Sequence, residues 1–584
     1  MTSEDRNDAL VLTLWTRNQP HDEDVPWAAY AREVLSHAGM SYRLADSPDA
    51  LRPGGVVLVT EPVTGAHARA LTAWVRDGGA LVITDDPGDL ADVAGVTNRA
   101  PAVAGTVTCG QDWAQRPPRP IRALRGHALR PDEDAEVLAT FSDGSAAIIR
   151  STSGSGMVLT FGVDLWYTIC RIQQGYPVRD DGAPSSDGTA PIDDDILKAE
   201  DGVALDLEED RAMPPGEPDL PSDYTHTYPP PSAVPIFDQP HADWWRSLLL
   251  QALWQAAGHT GAGMAWLDYW PAGIDSIAHM SHDADGNDPA DGRAALEAFA
   301  AAGVNVTWHQ VYPGGYGQEV LAEITDAGHE QSLHYNAMAD SDLAHWGWPQ
   351  LRAQYAWAQA ISGREDIVSN KNHYTRWEGW TEFYTWCEHV GIQIDSSRGP
   401  SKQGTIGFPF GTAHVSFPLR PAGHDDTFHD VLNLPLHTQD LAWAGHISVR
   451  DVILDAAQAQ HGVAHFLFHG PHLRKRPLTT QACVDVAEAA RDRGMPWWTA
   501  EEINTWERTR RDVHVHVHRV HEGWRVRAHS PRAVPGAAVI LALPESVQPD
   551  SEDVRVRTVQ RHGHQFVELG VDLPVGHSSW LLRP

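Results

Sequence analysis

The sequence predicts an α/β protein in three parts: an N-terminal parallel sheet covered by helices, a central (β/α) barrel, and a small C-terminal β-domain. Three observations predict it. Between Ala9 and Thr84, apolar runs of strand length alternate with amphipathic helical stretches. From about residue 265 to 510 the same alternation repeats, with His and Asp residues at the ends of the apolar runs. Beyond about 511 the pattern turns to strict period two, as in Val513-His514-Val515-His516-Val517-His518. Alternating strand and helix signals mean parallel strands with helical crossovers, whereas period-two runs mean antiparallel β structure.

The first part reads as strand 9–15, helix 27–39, strand 55–60, helix 64–75 and strand 80–84. Leu71, Trp74 and Val75 give the second helix its buried stripe, and Gly78-Gly79 stops it. After an irregular stretch, residues 146–150 and 156–163 add further β structure. From Pro177 to Pro235 the chain is rich in Asp, Pro, Gly and Ser, including Asp193-Asp194-Asp195 and Pro229-Pro230-Pro231. It buries too little apolar surface to fold alone, so an extended arm or long loop is expected. A helix from His241 to about Gly258 follows, with Leu248, Leu249 and Leu253 buried. The expected domains are 1–260 including the arm, 265–510, and 511–584.

At 584 residues the chain is too long for one core, and 42% hydrophobic with 21% charged residues is ordinary globular chemistry. A formal net charge of −34 argues against nucleic acid and anionic membranes as partners, since both would repel it. The four cysteines, Cys109, Cys170, Cys387 and Cys483, are scattered, so neither a disulfide framework nor a thiolate metal site is expected. The polar start, Met1 to Asp8, carries no signal-peptide pattern, and no apolar run reaches transmembrane length. A cytoplasmic protein is expected.

The stretch richest in chemistry is Ser281-His282-Asp283-Ala284-Asp285-Gly286, which follows the apolar run 274–280. Two carboxylates at a strand end can divide labour, one holding a metal and the other moving a proton. At barrel-like intervals come Gly328-His329-Glu330 with His334, then Asn372-His373, then Leu467-Phe468-His469. In a (β/α) barrel, strand C-termini form the active site.

This order resembles the polysaccharide deacetylases, the NodB-homology family of metal-dependent esterases and amidases. Their T-F-D-D-G motif is approximated by Asp283 and Asp285, with Ala284 inserted. The front half of G-H-E-I-G-N-H-T-x-x-H is matched by residues 328–334, and L-x-H by Leu467-Phe468-His469. The resemblance, over about 265–510, implies Asp283 as base, Asp285 and His334 as metal ligands, and His469 as acid. Met338 stands where the next ligand belongs, and His373, in Ser369-Asn370-Lys371-Asn372-His373, is the expected replacement. One carboxylate and two imidazoles with an open position suit zinc. His465 and His472 are rivals to His469 as the acid. The implied function is a metal-dependent hydrolase removing an acyl group, most simply acetyl, from a small sugar-containing substrate.

Asp395 ends a strand and could orient a catalytic group, and Arg398 could pin an anionic or carbonyl oxygen. Trp308, Trp346, Trp377 and Trp380 are candidate sugar-stacking residues. Two other readings fit the pattern: a glycoside hydrolase pairing Asp283 or Asp285 with Glu330 or Asp395, and a catalytically degenerate carbohydrate-binding barrel. The first part resembles the flavodoxin-like folds of glutamine amidotransferases, in which a catalytic Cys sits on a strand-to-helix elbow. Here Asp85-Asp86-Pro87-Gly88 follows the strand, so packing, oligomerisation or shaping of a substrate cleft is expected of it instead. The alternating histidines 514, 516 and 518 read as a solvent-facing strand edge rather than a metal site.

Overall fold

The computed structural model describes residues 12–16, 25–102, 104–191, 194–216, 230–338, 343–550 and 554–584. Readings of Met1–Asp8, of residues 9–11 in the first strand, and of Asp193 and Pro229 lie outside these. The chain divides into two compact units. One holds residues up to Cys170, Trp244–Gly273 and Arg508–Pro584; the other holds Arg171–Asp243 and Ile274–Glu507. The described Pro- and Asp-rich residues therefore belong to the unit that carries the His and Asp motifs. Among the described residues, no helix is long and apolar enough to cross a membrane.

In the first unit, strands Leu12–Trp15, Arg43–Ala45, Val56–Val59, Ala80–Thr84 and Gly156–Phe161 run parallel. The runs VVLV and ALVIT are buried throughout, as a sheet covered on both faces requires. Helix Gly65–Arg76 turns Ala68, Leu71 and Val75 inward, while the Trp74 indole donates to the Arg52 carbonyl at 2.8 Å. The stretch expected to be irregular is instead β structure: Val96–Ala102, Gly105–Cys109, Ile121–Ala123, Gly126–Pro131 and Glu136–Phe141 extend the sheet antiparallel. These strands are short and half-exposed, so they carry little hydrophobic signal. Burial pushes the Cys109 thiol up to about 12, which keeps it protonated and un-nucleophilic.

The C-terminal strands of this unit are antiparallel, including His514–Val520, Gly523–Ser530 and Gly576–Arg583. Val515 and Val517 are buried, whereas His514, His516 and His518 occupy the more exposed face. That is the alternation read from the sequence.

The second unit is built on seven parallel strands in the order Leu432–Asn433, Ile394–Asp395, Ser369–Asn372, Glu330–Tyr335, Thr307–Val311, Ile277–Asp283, Val463–His469. Helices Pro289–Ala302, Gln318–Asp326, Trp348–Ser362, Glu382–Val390 and Val449–Gln460 lie between them in sequence, and Pro477–Asp492 follows the last. Asp288 caps the first through the Ala290 amide, and Gly303, at φ 65, ends it.

Strand parity decides what faces inward. Ala278 and Met280 pack with the helices, so His279, Ser281 and Asp283 turn to the other face. That inner face is polar: Ser281 Oγ meets His465 Nε2 at 2.8 Å, and His309 Nδ1 meets Ser332 Oγ at 2.8 Å.

The closed barrel expected from the repeats is not formed as a continuous ladder. Among the described residues, the edge strands Leu432–Asn433 and Val463–His469 are not paired to each other. Side chains from residues 437–440 bridge the gap. The amides of His465, Leu467 and His469 donate to His437 Nδ1, Thr438 Oγ1 and Asp440 Oδ1 at 3.1, 3.4 and 2.8 Å. A half-barrel sheet is thus completed by side-chain acceptors, and its seam delivers Asp440 to the strand end beside His469.

Candidate active site

The motif residues converge because each ends a parallel strand or begins the loop after it. Asp283 and His469 are the last residues of neighbouring strands and are register partners. Asp285 follows in a turn that Gly286 permits with φ 75. His334 lies near the end of Glu330–Tyr335, and His373 directly follows Ser369–Asn372.

Asp285, His334 and His373 come together as a three-donor group. Asp285 Oδ1 lies 3.5 Å from His334 Nε2 and 3.4 Å from His373 Nε2. Donors about 2.0–2.1 Å from a shared ion at tetrahedral angles are roughly 3.4 Å apart, so the spacing fits a metal. The far side of each ring is committed: His334 Nδ1 meets the Lys371 carbonyl at 2.8 Å, and His373 Nδ1 meets Asn336 Oδ1 at 3.0 Å. Partners of that kind fix the tautomer and aim Nε2 at a common point. Asp285 Oδ1 and His334 Nε2 are buried with no hydrogen-bond partner among the described residues. Orphaned buried atoms aimed at one another are what a bound cation would satisfy, so the residues fit the group.

A second group, Asp440, His469 and His472, is different in kind. His469 Nδ1 lies 2.6 Å and His472 Nδ1 2.9 Å from Asp440 Oδ2. These are hydrogen-bond separations, too short for donors sharing an ion. Burial works against the His469 charge, but Asp440, then Asp285 and Asp283, raise its pKa to about 9. Asp440 is held well below the usual carboxylate range by the two imidazoles despite its burial. His469 Nε2 faces Asp283 and Asp285, 3.7 Å from each.

Asp283 is buried, which opposes its charge, but His334, Lys371 and His469 hold it well below the ordinary carboxylate range. Its Oδ2 accepts from the Lys371 ammonium, while Oδ1 has no partner among the described residues. The site opens into a cavity of about 220 Å³. Tyr374, Lys402, Gln439, Trp443 and Pro471 line it beside the carboxylates and imidazoles.

Several expected site residues are elsewhere. The Arg398 guanidinium is consumed by the carbonyls of Gln174 and Trp380 and stacks 4.3 Å over Trp377. Asp395 is buried among Asn370 and Ser397, its carboxyl raised to about 6 by burial, and does not line the cavity. Trp308 packs on His282, Trp346 stacks on Phe383, and Trp377 and Trp380 donate to carbonyls in the interior. Trp308, Trp377 and Trp380 are core, and Trp346 is half-buried against it. Glu330 sits at the opposite end of its strand, bound by Thr307 and Ser369, so it cannot serve a carboxylate pair at the cavity. Where the family's second His ligand is expected, the Met338 sulfur lies 3.0 Å from Arg376 Nη1.

Lys371, Asp440, Tyr374 and Trp443 were not singled out from sequence. Lys371 shares strand parity with His373, a usable signal. Asp440 and Trp443 lie in a loop without periodicity, which gave none.

No protein-family model matches the chain, and no curated protein does. Among solved structures it is similar to one described as a polysaccharide deacetylase from Mycobacterium smegmatis: 16% identity over 41% of this chain and 92% of that one, TM-score 0.32. The Xyl-CE4 domain of a multidomain xylanase from the hindgut metagenome of Trinervitermes trinervoides gives 13% identity over 39% and 89%, TM-score 0.24. An exo-β-1,4-mannosidase from Opitutaceae bacterium strain TAV5 gives 17% over 27% and 32%, TM-score 0.22. TM-scores this low carry no weight, and the functional reading rests on the residues of the site.

One consequence is a pH dependence. If His469 donates a proton in the reaction proposed below, activity holds while the ring is protonated and falls as pH rises through its pKa. Asp440 is the chief cause of the raised value. In Asp440→Asn the alkaline limb of kcat/KM therefore moves to lower pH, a shift a pH–rate profile detects.

Proposed function

We propose that the second unit is a metal-dependent hydrolase that removes an acyl group, most simply acetyl, from a small carbohydrate or glycoside. The observation that carries this reading is the Asp285, His334 and His373 donor set beside a carboxylate with one oxygen unpartnered among the described residues and opposite an imidazole paired to a buried carboxylate. A divalent ion such as zinc, held by those three donors, would polarise an acyl carbonyl and make an attacking water more acidic. Asp283 Oδ1 then takes a proton from the attacking water, while Lys371 holds Oδ2 and fixes the carboxylate's orientation. His469 Nε2 gives its proton to the departing amine or alcohol, and Asp440 Oδ2 holds the ring and stabilises its charge. Water adds to the acyl carbon, the C–N or C–O bond breaks, and the protons are accounted for by base and acid.

The substrate class follows from the cavity. Tyr374 and Trp443 offer aromatic faces of the kind that stack on sugar rings. Its volume of about 220 Å³ is small beside typical ligand pockets, which favours one ring over a polymer segment. Acetylated mono- and short oligosaccharides are expected to be hydrolysed faster than long chitin or peptidoglycan. A rate comparison at equal acetyl concentration checks this, and preference for the polymers rules out the small-substrate reading.

A further inference from the structure

His373 sits at an awkward place. The two residues after it, Tyr374 and Thr375, both adopt left-handed backbone, at φ 59 and 50. A β-branched Thr there is disfavoured, and two such residues in succession persist only where the surroundings over-determine them. A metal ligand at the edge of so strained a turn needs an external support.

The support comes from the Pro- and Asp-rich segment. The Gly379 amide donates to the Val178 carbonyl at 2.8 Å, and the Val178 amide returns the bond to Gly379 at 2.9 Å. The Trp377 amide donates to the Leu197 carbonyl at 3.1 Å, and Lys198 and Arg376 form an antiparallel bridge. The loop after His373 is thus pinned on its far side by residues 178 and 197–198. The segment is itself anchored. The Lys198 side chain is fully buried, and its ammonium binds Asp194 and the Ile196 carbonyl. Asp194 also pairs with Lys402, which lines the cavity, at 3.1 Å. The Glu200 carboxylate accepts from the Ser401 amide and hydroxyl at 2.9 and 2.7 Å and from Thr405 Oγ1 at 2.5 Å. One irregular segment therefore ties together two loops that line the cavity, those beginning at His373 and at Ser401.

We propose that the described residues of 178–202 form a brace for the metal site, with Lys198 and Glu200 as positioning residues that act through His373. The inference rests on the metal reading above. The brace holds the strained turn so that His373 Nε2 stays aimed at Asp285 and His334, and it holds Ser401 and Lys402, which line the cavity. None of its side chains touches the three donors, so its effect is on geometry.

The test is zinc affinity in the full-length protein, by competition with a chromogenic chelator, alongside the melting temperature of the metal-free form. Lys198→Met and Glu200→Gln are compared with the parent and with Ile453→Val, a buried substitution on helix Val449–Gln460 away from the cavity. The dissociation constant is expected to rise roughly 10-fold or more in the two brace variants. In Ile453→Val it stays within about twofold, whatever its melting temperature. Should Lys198→Met fail to fold, Glu200→Gln decides alone. Parent-like zinc affinity in the folded brace variants, or an equal loss in Ile453→Val, overturns the brace. A parent that binds no divalent ion overturns the metal reading and the brace with it.

Discussion

Asp283→Asn is expected to lower kcat by about 100-fold or more while a metal at the proposed site remains bound. The substitution keeps the shape of the side chain and removes the group proposed to accept the water's proton. The three donors Asp285, His334 and His373 are untouched, so metal content is unchanged. A second effect must be separated from this one. Asp283 and Lys371 are a buried ion pair, both side chains 2% exposed. Leaving one partner of such a pair unmatched costs about 3–5 kcal/mol of stability. Asp283→Asn is therefore expected to be destabilised as well as slow. The double variant Asp283→Asn with Lys371→Met recovers most of the stability and none of the activity. Single-turnover rates with chemical denaturation on both proteins check this. Activity returning together with stability would show that Asp283 serves only the fold. His469→Ala is expected to match the loss in kcat without the loss in metal, since Nε2 lies 3.7 Å from the carboxylates and its ring is held by Asp440.

His334→Ala is expected to abolish tight metal binding. His334 is fully buried, its Nδ1 is fixed by the Lys371 carbonyl, and among the described residues its Nε2 makes no hydrogen bond and faces Asp283 and Asp285 at 3.4 and 3.5 Å. Removing a group one step from an ion weakens binding about 10- to 100-fold, and removing a ligand itself should exceed that. The thermal readout is independent of activity. A ligand present at 100 times its dissociation constant stabilises the folded state by about 2.7 kcal/mol. Chelation is thus expected to lower the melting temperature of the parent and to leave that of His334→Ala unmoved. Equal responses in the two proteins would place the metal elsewhere.

Which parts of this were legible in the sequence follows from how local each signal is. Asp283 and His469 end apolar strands, Asp285, His334 and His373 lie near or just past the ends of strands, and strand ends of a parallel sheet share one rim. Their convergence was therefore readable from order and spacing. The place of His373 beside Asp285 and His334 was legible because the resemblance called for a third donor after Met338. The tryptophans misled because stacking on sugar and packing in a core draw on the same residue type, and only burial separates Trp308 or Trp377 from Trp443. Arg398 misled for a similar reason: its fork is saturated by carbonyls far away in sequence. Asp440 was invisible because it reaches His469 across a sheet gap filled by side chains, a closure that leaves no periodic trace. The strands between 96 and 141 were missed because they are half-exposed.

The most direct test of the central claim is the anomalous diffraction of crystals grown with zinc, recorded above and below its absorption edge. A single strong peak between Asp285 Oδ1, His334 Nε2 and His373 Nε2, absent from His334→Ala crystals, is the predicted result. A peak held instead by Asp440, His469 and His472, or no peak at the three donors, would contradict it.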